Sequence, residues 1–282
     1  MKLKVSAELD YEVKVPSTLI LNIHALRTAH QIVLDEKLSI TPYIKAEELT
    51  DVNGENRFVR LDIPETGLIS IRYEALVDNY YEVKDHSNVE EIPVSKFEPS
   101  VLPYLNPSRY CQSDKLYRLA NNTFGKIRTS FEQVFAITDW IYKNVEYLSG
   151  FTNSETSAYD TVTQQAGVCR DFAHLGIALC RALTIPARYF TGYAYQLNPP
   201  DFHACFEAYL GGDWVLFDAT RLIPLNGLVK IATGRDAADA AIASIFGDVY
   251  CTNIRAACAY ADEQPFKPIY YTRSIFDGIT YL

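Results

Sequence analysis

An apolar side chain at every second position is the pattern that most limits this chain. Leu3, Val5, Ala7, Leu9, Tyr11, Val13 and Val15 share one parity, as do Val59, Leu61 and Ile63, and then Ile69, Ile71, Tyr73 and Ala75. A period of two sends one face of an extended strand into a core and the other toward water, which no helix can satisfy. Asn53-Gly54 and the Pro64-to-Gly67 segment supply turn chemistry between the runs. Met1 to about Val83 is therefore expected to form an antiparallel sandwich of about seven strands, structural or substrate-presenting in role. His24, His30 and His86 are expected to face solvent or to be satisfied core residues.

The alternation dissolves between Asp85 and Gln112, where Pro93, Pro99, Pro103 and Pro107 interrupt both strand and helix. A boundary near residue 90 follows, with an N-terminal sandwich over 1–90, a Pro-rich linker over 91–112 and a second domain filling 91–282. Hydrophobic residues make up 48% of the 282, enough for sizeable cores. A net charge of −9 without a Lys/Arg-rich run argues against a nucleic-acid partner. No apolar run approaches the roughly eighteen residues of a membrane span, and the alternating N-terminus lacks the continuous apolar core of a signal peptide. A cytoplasmic location is expected, and with it free thiols at all six cysteines. None of them forms a CxxC pair, so a zinc site is not expected; no cofactor is expected either.

Helical periodicity begins after Ser113 and is strongest from Ser130 to Val145, where Phe131, Val134, Phe135, Ile141, Tyr142 and Val145 form a stripe. Ser130 and Gln133 have capping-box spacing, and Trp140 suits either a core or a cleft wall. Residues 151–167 are polar and turn-like, with Gly167 expected to permit a sharp turn. Then comes GVCRDFAHLGIALCRAL from Gly167, read as an amphipathic helix opened by Cys169, with the preceding helix packed behind it. Unpaired N–H groups and the positive end of the helix dipole favour a thiolate there, hence a nucleophile. Ala173, Gly176 and Cys180 form a small-residue stripe that lets a neighbour approach closely. Gln164 is a candidate oxyanion donor just upstream; Gln164 and Gln165 are equally plausible as solvated loop residues.

A base and its orienting acid come from DFHACFEAYLGGDWVLFDAT. Gly211-Gly212 marks a two-residue hairpin turn, so Leu210 should face Asp213 and Cys205 should face Asp218. Asp218 then lies on the face of His203 and diagonal to it, within side-chain reach. A thiol, an imidazole and a carboxylate so placed can form a thiolate–imidazolium pair and orient it. Further on, LVKIA and VYCTNIRAACAYA read as strands; Asp236 is expected to cap a short helix and Arg235 to pair with a carboxylate.

With these segments together the chain resembles the transglutaminase-like superfamily, in particular bacterial members described as candidate cysteine proteases. The Gly-Val-Cys-x-Asp-Phe-Ala-His run matches Gly167 to His174. The His-Ala-aromatic-x-Glu strand matches at His203, Ala204 and Glu207, and Trp-x-x-Phe-Asp matches at Trp214, Phe217 and Asp218. Two departures stand out: Cys205 where an aromatic residue is usual, and Ala219-Thr220-Arg221 after the acid. The resemblance implies an α+β fold, an N-terminal β-sandwich followed by a papain-like core of helices on an antiparallel sheet. It also implies a Cys169–His203–Asp218 triad acting on amide bonds of a protein or peptide. Hydrolysis, transamidation and a catalytically silent peptide-binding module all stay open here, as does oligomeric state.

Overall fold

The computed structural model describes residues 1–51, 56–87, 89–271 and 277–281, so the Asn53-Gly54 turn lies outside the described residues. The N-terminal part holds β1 (Lys2–Val13), β2 (Ser17–Leu21), β3 (Gln31–Thr41), β4 (Ala46–Thr50), β5 (Arg57–Ile63), β6 (Gly67–Asn79) and β7 (Glu82–Asp85). Among the described residues four α-helices follow, α1 (Ser113–Phe124), α2 (Ser130–Asn144), α3 (Ala158–Gln164) and α4 (Cys169–Ala182), with β8 (Glu146–Tyr147) and β9 (Ala166–Gly167) between them. The remainder is β10 (Ala187–Ala194), β11 (Phe202–Leu210), β12 (Asp213–Phe217), β13 (Leu228–Gly234), β14 (Ala243–Phe246), β15 (Val249–Tyr260) and β16 (Asp277–Thr280). The fold is α+β, as expected.

The expected alternation is what builds the sandwich. Leu3 through Val13 on β1 and Ile69 through Val77 on β6 bury their odd-numbered residues, and Val59, Leu61 and Ile63 do the same on β5. Val15 is the exception: β1 ends at Val13, and Val15 is exposed. The two sheets have orders β15-β1-β6-β3 and β14-β2-β5-β4. Sheet membership thus crosses the division expected at residue 90. β14 and β15, from far down the chain, supply one edge of each sandwich sheet, while β7 joins the six-stranded sheet β13-β10-β11-β12-β16-β7. Exchange of edge strands covers backbone that would otherwise stay unpaired.

Within the Pro-rich stretch, Val94–Lys96 and Leu102–Leu105 form single 3₁₀ turns. α2 starts at Ser130, where the strongest periodicity was expected to begin, but its capping box is made one residue earlier, by Thr129 and Glu132 and not by Ser130 and Gln133. Tyr142 is exposed, and its ring lies under the Arg221 guanidinium. Residues 158–164 of the segment expected as turns form α3, capped by Ser157 and Asp160.

α4 packs against α1, α2, α3 and the strands β10 and β11. It is buried on every side from Asp171 to Ala182, a central helix and not the amphipathic one expected. Most of its polar atoms are tolerated because they are partnered, His174 Nδ1 being a buried exception. The Arg181 fork donates to the carbonyls of Ala187, Asn106 and Arg235. The Ala237 N–H donates to His174 Nε2, and the imidazole stacks on Tyr110.

Candidate active site

Cys169 is the first residue of α4 and is half-buried. The turn into it is set by Asp171, whose carboxylate accepts the Val168 N–H at 2.9 Å and the Thr152 hydroxyl at 2.7 Å. Gly167 is needed here for close approach and not for an unusual backbone angle. A Cβ on it would lie 2.8 Å from the Asp171 Cβ. Asp171 therefore holds the helix start, as a carboxylate at a positive helix end should.

The hairpin register is the expected one. Leu210 pairs with Asp213, and the ladder runs to Phe206 opposite Phe217, which carries Cys205 and Asp218 to facing positions. His203 Nε2 lies 3.1 Å from Asp218 Oδ2, both residues 1% exposed. The other Asp218 oxygen accepts the Thr220 N–H at 2.8 Å and its hydroxyl at 2.7 Å. Thr220, within one of the two departures, thus fixes the carboxylate. Burial opposes a charge on His203, but the Asp218 carboxylate, aided by Cys205 and Cys169, outweighs it and holds the imidazole well above the ordinary histidine range. His203 Nδ1 is buried and makes no hydrogen bond, leaving it as the nitrogen available to a thiol.

Cys169 and His203 line one cavity of about 550 Å³. The sandwich supplies its far wall through Tyr11, Ile245, Cys251 and Ile254, so the site lies between the two layers of the molecule. Gln164 is exposed at the end of α3 and is not among the lining residues. A neighbour not anticipated from the sequence is Tyr147, whose phenol interacts with both the backbone and the side chain of Cys169. The parallel bridge between β8 and β9 sets Tyr147 beside Gly167, two residues before the thiol.

Other flagged residues have structural partners. Glu207 is fully buried between Arg188 and Lys230, and these two cations outweigh burial to keep its carboxyl below the usual range. Arg235 pairs with Asp239 as expected. Asp236 caps no helix; its carboxylate accepts the Tyr110 and Ala238 N–H groups. His24 and His86 are buried, with Nδ1 of the first and both ring nitrogens of the second unpaired, so they are neither solvent-facing nor satisfied. Trp140 is half-buried against Phe124, away from the cavity.

Residues 1–100 match the family described as the bacterial transglutaminase N-terminal domain, and residues 117–219 match the transglutaminase-like superfamily. A crystal structure from Cytophaga hutchinsonii, described as a candidate cysteine protease, is 58% identical with a TM-score of 0.98, covering 100% of this chain and 98% of that one. An uncharacterised Mycobacterium leprae protein is 28% identical over 146 residues, 49% of this chain and 52% of that one. A Mycobacterium tuberculosis protein, also uncharacterised, is 33% identical over 96 residues, 34% of this chain and 30% of that one. This chain therefore spans about half or less of the length of these curated relatives. Sequence motifs, fold and full-length likeness agree, and the chain belongs to the transglutaminase-like superfamily.

Proposed function

We propose that this chain is a cysteine peptidase or amidase that cleaves amide bonds of a protein or peptide through Cys169, His203 and Asp218. The observation that carries the reading is the sharing of one cavity by a helix-tip thiol and an imidazole held charged by a buried carboxylate. Sγ of Cys169 attacks the carbonyl carbon, and the tetrahedral oxyanion takes hydrogen bonds from the Cys169 N–H and the Tyr147 hydroxyl. Nδ1 of His203 gives its proton to the departing amine, leaving a thioester. The same nitrogen then takes a proton from water as it attacks the thioester, and the acid and the free thiol are released. Asp218 orients the ring throughout and stays ionised. The cavity's apolar sandwich wall suits the side chains of an extended acyl donor. Six unpaired thiols support a reducing compartment such as the cytoplasm.

Limited alkylation with iodoacetamide followed by peptide mapping is expected to label Cys169 first. Cys111, Cys180 and Cys205 are buried, and although Cys251 is exposed, partial burial of its sulfur raises its pKa. Cys169→Ala should abolish amide cleavage while preserving the fold, and a tagged form should retain uncleaved substrate. Prior labelling of Cys251, or unchanged cleavage by the alanine variant, would refute the assignment. Incorporation of a labelled primary amine in place of hydrolysis would make the enzyme a transamidase with the same nucleophile.

A further inference from the structure

Cys205 is a buried thiol beside the catalytic pair that neither bonds to the substrate nor transfers a proton in this reaction. It stands two positions after His203 on β11 and faces Asp218 across the hairpin. One ligand atom from each of Cys205, His203 and Asp218 lies within 4.8 Å of the other two, and all three residues are 1% exposed. Sulfur, imidazole nitrogen and carboxylate oxygen are the donors that zinc takes, at about 2.0–2.3 Å from the ion. Tetrahedral ligands at such distances are themselves about 3–4 Å apart, and the 3.1 Å between His203 Nε2 and Asp218 Oδ2 is already of that size.

We propose that Cys205, His203 and Asp218 form a binding site for a zinc-class divalent ion, and that the bound ion holds the enzyme inactive. The inactivation half rests on the peptidase reading above; the binding half does not. The ion enters from the cavity, which His203 lines, and water completes its coordination. It displaces the proton that Nε2 shares with Asp218, and Cys205 binds as thiolate; both displaced protons pass to solvent. No electron is transferred. With Nε2 committed to the metal, the ring keeps its proton on Nδ1, and that N–H is far less acidic than an imidazolium. Nδ1 can then neither give a proton to a leaving amine nor accept one from water, so both proton transfers stop. A buried thiol beside the catalytic pair, at the position where this family usually has an aromatic residue, thereby acquires a function.

Cobalt(II) titration of the reduced, metal-free full chain tests the site by absorbance, independently of any turnover. Wild type and Cys169→Ala should each bind one equivalent with a thiolate-to-cobalt charge-transfer band in the near ultraviolet. Cys205→Ser should lose the band and bind at least about 100-fold more weakly. Asp218→Asn, which removes a different ligand, should weaken binding similarly and covers the case of a serine variant that does not fold. Absence of the band in wild type, its persistence in Cys205→Ser, or its loss in Cys169→Ala would each overturn the site. Where a substrate is cleaved, zinc should inhibit wild type and leave Cys205→Ser uninhibited; equal inhibition of both overturns the regulatory half alone.

Discussion

The Tyr147 hydroxyl, proposed above as an oxyanion donor, is kept protonated by a simple physical effect. Burial beside Cys169 pushes its phenol up to about 12, so it keeps its proton at neutral pH. It is also 41% exposed, which separates its chemical from its structural contribution. Tyr147→Phe is expected to lower kcat about ten- to a hundredfold, since one oxyanion donor is worth about that or more, with KM and the melting temperature little changed. Unchanged kcat would remove it from the reaction. At this scale the sequence is informative where spacing is local. His203 and Asp218 follow from strand alternation plus one glycine turn, whereas Tyr147 reaches Cys169 through a two-residue parallel bridge that no local pattern announces.

Among the elements, α4 sets the distance between thiol and imidazole. A Cβ on Gly176 would lie 2.5 Å from the Phe206 ring on β11, so at Gly176 the small-residue stripe lets helix and sheet approach closely. Gly176→Leu forces four carbons into that contact, and overpacking of this kind costs about 1–3 kcal/mol. The expected result is a folded protein with a lower melting temperature and lost activity, because the strand bearing His203 is displaced from Cys169. A folded Gly176→Leu variant with full activity would disprove this role for the stripe. The existence and limits of α4 were legible from its period, but its burial on all sides was not. Asp171, His174 and Arg181 look like solvent-facing residues until their partners in other segments are known.

For the molecule as a whole, the junction between sandwich and catalytic sheet is made by side-chain amides that imitate a β-ladder. Gln31 accepts the Lys230 N–H at 2.7 Å and donates to the Lys230 carbonyl at 2.8 Å, and Asn56 does the same at Thr233 with 2.9 and 2.8 Å. These pairs cover the open edge of β13, and the cavity spans the same junction. Gln31→Leu leaves the buried Lys230 N–H without its acceptor, costing about 1–3 kcal/mol. Differential scanning calorimetry should show a lower melting temperature; an unchanged one would mean that the junction is held elsewhere. Acid should weaken the fold as well. Burial, with Arg57, lowers His24 to about 4, and burial lowers His86 and His174 too. Unfolded histidines take up protons near pH 6.5, so between about pH 6.5 and 4 the unfolded chain binds more of them and stability falls with pH. His203 acts oppositely: its raised pKa contributes stability fully present below about 6.5 and lost as pH rises through its folded value. Asp10 and Glu36, both lowered to about 2, withdraw stability only in more acid solution. The melting temperature should therefore drop from neutral pH toward pH 4, and more gently in a folded His24→Gln variant; parallel slopes would exclude His24 as a source.

The sequence by itself determined what depends on near neighbours: the alternating strands, the helix opening at Cys169, the Gly211-Gly212 hairpin register and, through it, the meeting of His203 with Asp218. Each follows from a period or a turn read within a few residues. Tertiary structure alone decided which distant strands became neighbours. Only the folded chain shows β14 and β15 completing the sandwich, Gln31 and Asn56 sealing β13, and the sandwich walling the cavity beside Cys169. Those pairings match hydrogen-bonding edges far apart in the chain, and backbone edges carry no sequence signature, so complementarity in space had to choose among them.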